Sequence, residues 1–138
     1  MNSKLNHIGF FTAHPKRILN FYITQLGFVK DAEAILPKNI VYSIFRIPSS
    51  CFMVKLVKQD ICLEIFWMKH YTLKVKSKDT SGYNHFGIEI ENREQFCNRL
   101  SNKFKIKATK VKRGDHYNYF IRDPDKNIIE IKELLPKK

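Results

Sequence analysis

The chain has 138 residues, 43% of them hydrophobic and 13% aromatic, which supports one packed core and excludes an intrinsically disordered chain. Its formal charge of +12 would suit a nucleic acid, an anionic membrane or an anionic substrate. The lysines are scattered, however, densest at Lys74–Lys78 and Lys103–Lys112, and no nucleic-acid motif accompanies them, so they read as a solvated basic surface.

In chain order, Met1-Asn2-Ser3-Lys4 leads into a patterned strand around Asn6-His7-Ile8-Gly9-Phe10, without an apolar signal core. No run approaches the roughly 18 apolar residues of a membrane span, so a cytoplasmic protein is expected. Ile18, Leu19, Tyr22 and Leu26 then fall at helical spacing over Pro15 to Leu26, with Pro15 suited to the first turn and Gly27 to a C-terminal cap. Strand-like runs follow at Phe28–Ala34, Ile40–Ile47, Phe52–Val57 and Ile61–Trp67. After a polar stretch near Lys76–Tyr83 the order begins again. Asn84-His85-Phe86-Gly87-Ile88 repeats the opening strand, and Arg93 to Lys103 carries Phe96, Cys97 and Leu100 at helical spacing. Strands are expected at Lys105–Val111, Tyr117–Ile121 and Ile128–Lys132, with Asp123-Pro124-Asp125-Lys126-Asn127 as the turn between the last two.

The repeat matches at both ends of each module: Leu63-Glu64-Ile65 closes the first half as Ile129-Glu130-Ile131 closes the second. Two βαβββ modules, residues 1–76 and 81–138 of a single domain, imply an α+β fold with curved mixed sheets. Alternation along a strand puts His7, Gly9 and Phe11 on one face, and His85, Gly87 and Glu89 on the matching face of the second module. A carboxylate inside Ile128-Ile129-Glu130-Ile131 is costly to bury without a partner, and a metal supplies one. Two imidazoles and two carboxylates, His7, Glu64, His85 and Glu130, make a ligand set for one first-row divalent metal per site, with zinc, nickel, manganese, cobalt and iron all open. Cys51, Cys62 and Cys97 lie far apart with no C-x-x-C pair, which argues against disulfides and structural zinc.

These residues resemble the vicinal oxygen chelate superfamily (glyoxalase I, bleomycin resistance proteins, extradiol dioxygenases), over Leu5 to Glu133. Phe120 to Ile131 is similar to that superfamily's Asp-Pro-Asp-Gly-x-x-Ile-Glu closing motif, with Lys126 where glycine is usual. The resemblance implies two modules folded around a metal that binds adjacent substrate oxygens and stabilises an enediolate or similar anion. It also implies a catalytic carboxylate that moves a proton between neighbouring carbons, either Glu130 or Glu64. Glutamate at position 64 favours the glyoxalase I-like branch, a lyase or isomerase of small α-oxo or vicinal-oxygen compounds. Methylmalonyl-CoA epimerases usually have glutamine there, and extradiol dioxygenases and fosfomycin-modifying enzymes use two histidines and one glutamate. The alternative is a small-molecule-binding or antibiotic-resistance protein on the same fold, although bleomycin-resistance relatives generally lack the metal set.

Glyoxalase I usually carries arginine four residues after its first ligand and asparagine four after its second, both for glutathione. Here those positions hold Phe11 and Met68, so the metal centre resembles the family more than the thiol pocket does. Phe11, Met68, Trp67 beside Phe66, and His116 in a loop before Tyr117 are the candidate substrate contacts. Short relatives of this type often pair, so a homodimer is the expected working unit.

Overall fold

The computed structural model describes residues 1–137 and divides into two compact units, Met1–Ser77 and Lys78–Lys138. The first unit runs β1 (Ile8–Phe11), α1 (Pro15–Leu19), a π-helical stretch (Asn20–Gln25), β2 (Val29–Leu36), α2 (Lys38–Phe45), β3 (Cys51–Lys58) and β4 (Ile61–Trp67). The second runs β5 (His85–Ile90), α3 (Arg93–Phe104), β6 (Thr109–Arg113), β7 (His116–Arg122) and β8 (Ile128–Glu133). Each unit has its own four-stranded mixed sheet, ordered β1-β4-β3-β2 and β5-β8-β7-β6. The first and last strands of each module pair in parallel, and the remaining neighbours are antiparallel.

This topology keeps the βαβββ order but corrects the expectation of curved sheets around a metal site. The sheets are open, each ending in two edge strands, and every ladder closes within its own unit. Pairing of the module's own first and last strands completes each sheet within its own unit.

The helix expected over Pro15 to Leu26 starts with Pro15 in its first turn and widens to π geometry at Asn20, where Leu26 N–H donates to Phe21 O at 2.9 Å. Ile18, Tyr22 and Leu26 are fully buried, and Tyr22 makes ring contacts with Phe10, Phe21 and Phe28. Gly27 takes φ +86°, the left-handed turn that ends the helix, and Lys58 Nζ donates to Leu26 O at 2.6 Å. In the second unit α3 buries Phe96, Cys97 and Leu100, and the Asn92 side chain caps it by accepting from Gln95 N–H at 3.2 Å. Ile88, Ile121, Ile129 and Ile131 complete that core.

Residues Ile40–Ile47 are not a strand. Lys38–Phe45 is α2, entered from an extended Pro37 and stopped by Arg46 at φ +59°. The alternation of Ile40, Tyr42 and Ile44 reads as a strand, yet these three side chains are exposed. Val41 and Phe45, four apart, share one helix face and pack on a cluster containing Cys51, Phe66, Phe11 and Met53. Burial of that stripe outweighs the strand propensity of its β-branched residues. The second module has no counterpart: β6 and β7 meet directly through Gly114-Asp115.

The basic stretch near the second unit's edge is solvated, as β6 is exposed along its whole length and carries Lys110, Lys112 and Arg113. Charged edges of this kind oppose strand addition by other chains. Cys51 and Cys97 are buried free thiols and Cys62 is half-buried, with burial raising the Cys51 and Cys97 thiols above the ordinary range.

Candidate functional site

His7 stands immediately before β1, and parallel pairing sets Gly9 opposite Glu64 in β4. Residues two apart share a strand face, so the imidazole and the carboxylate look to the same side. His7 Nδ1 lies 3.2 Å from Glu64 Oε2 and 2.8 Å from Asn6 Oδ1. Both neighbours are acceptors, which in the neutral ring favours the tautomer with the proton on Nδ1.

The second unit repeats the device. His85 opens β5, and Gly87 pairs with Glu130 in β8. His85 Nδ1 bonds Asn84 Oδ1, the same partner from the same preceding position, and the ring stands edge-on to Phe120 at 6.2 Å. Glu130 sits between Gly87 on one side and Phe120 of β7 on the other. Its Oε2 is buried without a hydrogen-bond partner. A carboxylate oxygen in that condition is destabilising unless something cationic meets it. Each unit thus supplies one imidazole and one carboxylate, a donor set suited to a first-row metal. In the first unit His7 and Glu64 come together, and no group of three or more His, Cys, Asp or Glu is gathered among the described residues.

The strand that carries Glu130 is held by the preceding turn. Asp123, almost fully buried, accepts from Asp125 N–H and Asn127 N–H at 2.9 Å each and from Asn127 Nδ2 at 2.8 Å. Lys126 occupies the left-handed region at φ +69°, the geometry for which glycine is suited.

In the first unit the His7 and Glu64 face opens on a cavity of about 370 Å³. Its wall is apolar. Phe11, Phe45 and Phe66 form a triangle of ring contacts at 4.9, 5.5 and 5.9 Å, and Gly9, Phe10, Leu36, Ile44 and Met53 complete the apolar lining. Of the four candidate substrate contacts, the structure places only Phe11 in this cavity. Met68 packs against the cluster behind it, Trp67 stacks on Phe52 at 5.7 Å, and His116 is exposed in the second unit with Nδ1 3.5 Å from Asp115 Oδ1. Ile44 and Phe45 escaped the sequence reading because Ile40–Ile47 looked like a strand, and Leu36 and Met53 because only long-range packing brings them beside His7 and Glu64. The spacing of Val41 and Phe45 was the available signal for α2.

A second polar cluster, in the second unit, joins Glu94 to Tyr119 Oη at 2.5 Å and to Lys110 Nζ at 3.0 Å, while Arg93 lies over the Tyr119 ring at 3.8 Å. The Tyr119 hydroxyl first, and Lys110 second, hold the Glu94 carboxyl below its ordinary range, and the same bond holds the Tyr119 hydroxyl above its own. This cluster ties α3 to β6 and β7.

Among the described residues no helix is long and apolar enough to cross a membrane. Solved structures share the fold. A glyoxalase family protein from Enterococcus faecalis is 21% identical with a TM-score of 0.73, covering 94% of this chain and 97% of that one. The trypanothione-dependent glyoxalase I of Leishmania major is 17% identical with a TM-score of 0.69, covering 96% and 87%. The fosfomycin resistance protein FosX of Listeria monocytogenes, solved as a mutant with Mn(II) and 1S,2S-dihydroxypropylphosphonic acid, is 13% identical with a TM-score of 0.68, covering 98% and 95%. No curated protein matches the chain significantly. These folds span several branches, but the sequence itself matches one family model over residues 4–131, and the chain belongs to the Glyoxalase/Bleomycin resistance protein/Dioxygenase superfamily.

Proposed function

We propose that this protein is a metal-dependent lyase or isomerase of the glyoxalase I type, acting on a small α-oxo or vicinal-oxygen compound. The observation that carries the reading is the doubled His and Glu arrangement across the β1–β4 and β5–β8 ladders, together with the orphaned Glu130 Oε2. His7, Glu64, His85 and Glu130 would hold one divalent metal, which when bound supplies Lewis-acid polarisation of adjacent substrate oxygens. The chain's own groups do the rest. Asn6 and Asn84 orient the two imidazoles, and Glu130 or Glu64 moves the proton. The half-buried strand position of Glu130, flanked by Ile129 and Ile131, limits its access to water.

Metal analysis of the purified protein, with activity assayed after chelation and reconstitution, tests this. About one metal per site is expected, Glu130→Ala should lose most of it, and Glu130→Gln should lower turnover at least ~10²-fold. Unchanged metal content in both His85→Ala and Glu130→Ala would overturn the assignment. Mixing inactive His7→Ala and His85→Ala proteins shows whether a homodimer shares its sites, since recovered activity requires ligands from two subunits.

A second reading, a binding or resistance protein, draws on the preformed apolar cavity beside His7 and Glu64, which needs no chemistry to hold a ligand. Metal-independent binding without turnover would favour it.

A further inference from the structure

We infer that the substrate carries its adjacent oxygens on an uncharged aromatic or branched aliphatic body, and that the cavity of the first unit holds that body. The inference rests on the proposed function for the oxygen end, and on the cavity wall alone for the body. Besides His7 and Glu64, every side chain in the lining is apolar, in a chain with 25 lysines and arginines. Among the described residues, no guanidinium, ammonium or side-chain amide is part of the lining. Lys55, whose backbone pairs with Glu64, is not part of the lining and has its Nζ 3.7 Å from Asp31 Oδ2.

An anionic body would therefore lose its hydration beside Glu64 and gain no partner, a cost that the phenyl triangle cannot offset. An apolar body gains burial against Phe11, Phe45 and Phe66 with the rings already packed on one another. The volume of about 370 Å³ lies near the lower end of the range of ~300–1,000 Å³ usual for small-molecule sites, which suits a single ring or short branched chain. Part of this wall, Ile44 and Phe45, comes from α2, the element the second module lacks. Ile44 stands at its rim with 60% of its surface exposed, so it can be changed without disturbing the core.

Three probes separate the parts of the argument: hydroxyacetone, which has the oxygens and almost no body; 2-hydroxyacetophenone, which adds a phenyl ring; and the same compound with a carboxylate on the ring. Titration calorimetry on the full chain, with and without added Zn²⁺, should show 2-hydroxyacetophenone binding at least about 10-fold more tightly than hydroxyacetone, the scale of burying one ring. The preference should persist without metal, and the ring carboxylate should abolish it. Ile44→Arg should restore binding of the carboxylated probe, and the phenyl probe should shift the Met53 methyl resonance. Equal affinity for the phenyl and carboxylated probes in the unaltered protein, or an unmoved Met53 methyl, would overturn the inference. Ring preference without any metal effect upholds it while removing the metal reading; metal-dependent binding without ring preference does the reverse.

Discussion

The orphaned oxygen of Glu130 makes opposite demands on the metal-free and metal-bound protein, and Glu130→Met exposes the conflict. Methionine is close to glutamate in length and unbranched, so it replaces the carboxylate with little change in volume. Glu130 Oε2 is buried without a hydrogen bond, between Gly87 and Phe120 on the neighbouring strands. An unsatisfied buried polar atom costs ~1–3 kcal/mol, so in the presence of chelator the variant should be more stable than the parent by about that amount. Metal reverses the order. At a free metal concentration of about 100 times Kd the parent gains roughly 2.7 kcal/mol, while the variant, short of one ligand, gains far less. Urea denaturation followed by far-ultraviolet circular dichroism, with EDTA and with Zn²⁺, should give midpoints that cross. If Glu130→Met is destabilised by more than about 1 kcal/mol in EDTA, the carboxylate oxygen has a partner in solution and the reasoning fails.

Three further outcomes are expected. Lys126→Gly should raise stability by about 0.5–1 kcal/mol, because glycine removes the left-handed penalty at φ +69° and returns only part of it as chain entropy; an unchanged urea midpoint would refute this. Asn84→Ala should weaken metal binding ~10-fold or more and, in the metal-free protein, shift the His85 ring toward the Nε2–H tautomer in ¹⁵N spectra; an unaltered tautomer would show that Asn84 does not orient the ring. Glu94 is depressed in the folded state, chiefly by the Tyr119 hydroxyl, so its stabilisation is present above the ordinary carboxylate pKa and is lost as pH falls through the lowered folded value. Glu94→Gln should therefore flatten the acid limb of a stability profile, and an identical limb in both proteins would contradict the assignment.

The repeat of Asn-His-x-Gly and the two Ile/Leu-Glu-Ile closings were legible in the sequence because strand alternation and short-range turn chemistry are local properties. Local signals also located α3 and its buried residues, the start of α1, and the Asp123 turn. The Asn6 and Asn84 hydrogen bonds were present in the sequence as a repeated dipeptide, but their orienting role emerged only when both imidazoles were seen to place Nδ1 on the preceding side chain. Tertiary structure decided the rest. Residues Ile40–Ile47 alternate like a strand, and only the apolar surface of Cys51, Phe66 and Phe11, distant in sequence, makes burial of Val41 and Phe45 as a helix face the better solution. The same packing created the aromatic cavity, since its wall combines α2 with all four strands of the first unit. Sheet shape was likewise beyond local reach: parallel pairing of β1 with β4 and β5 with β8 is a long-range choice, and it completes each open sheet within its own unit.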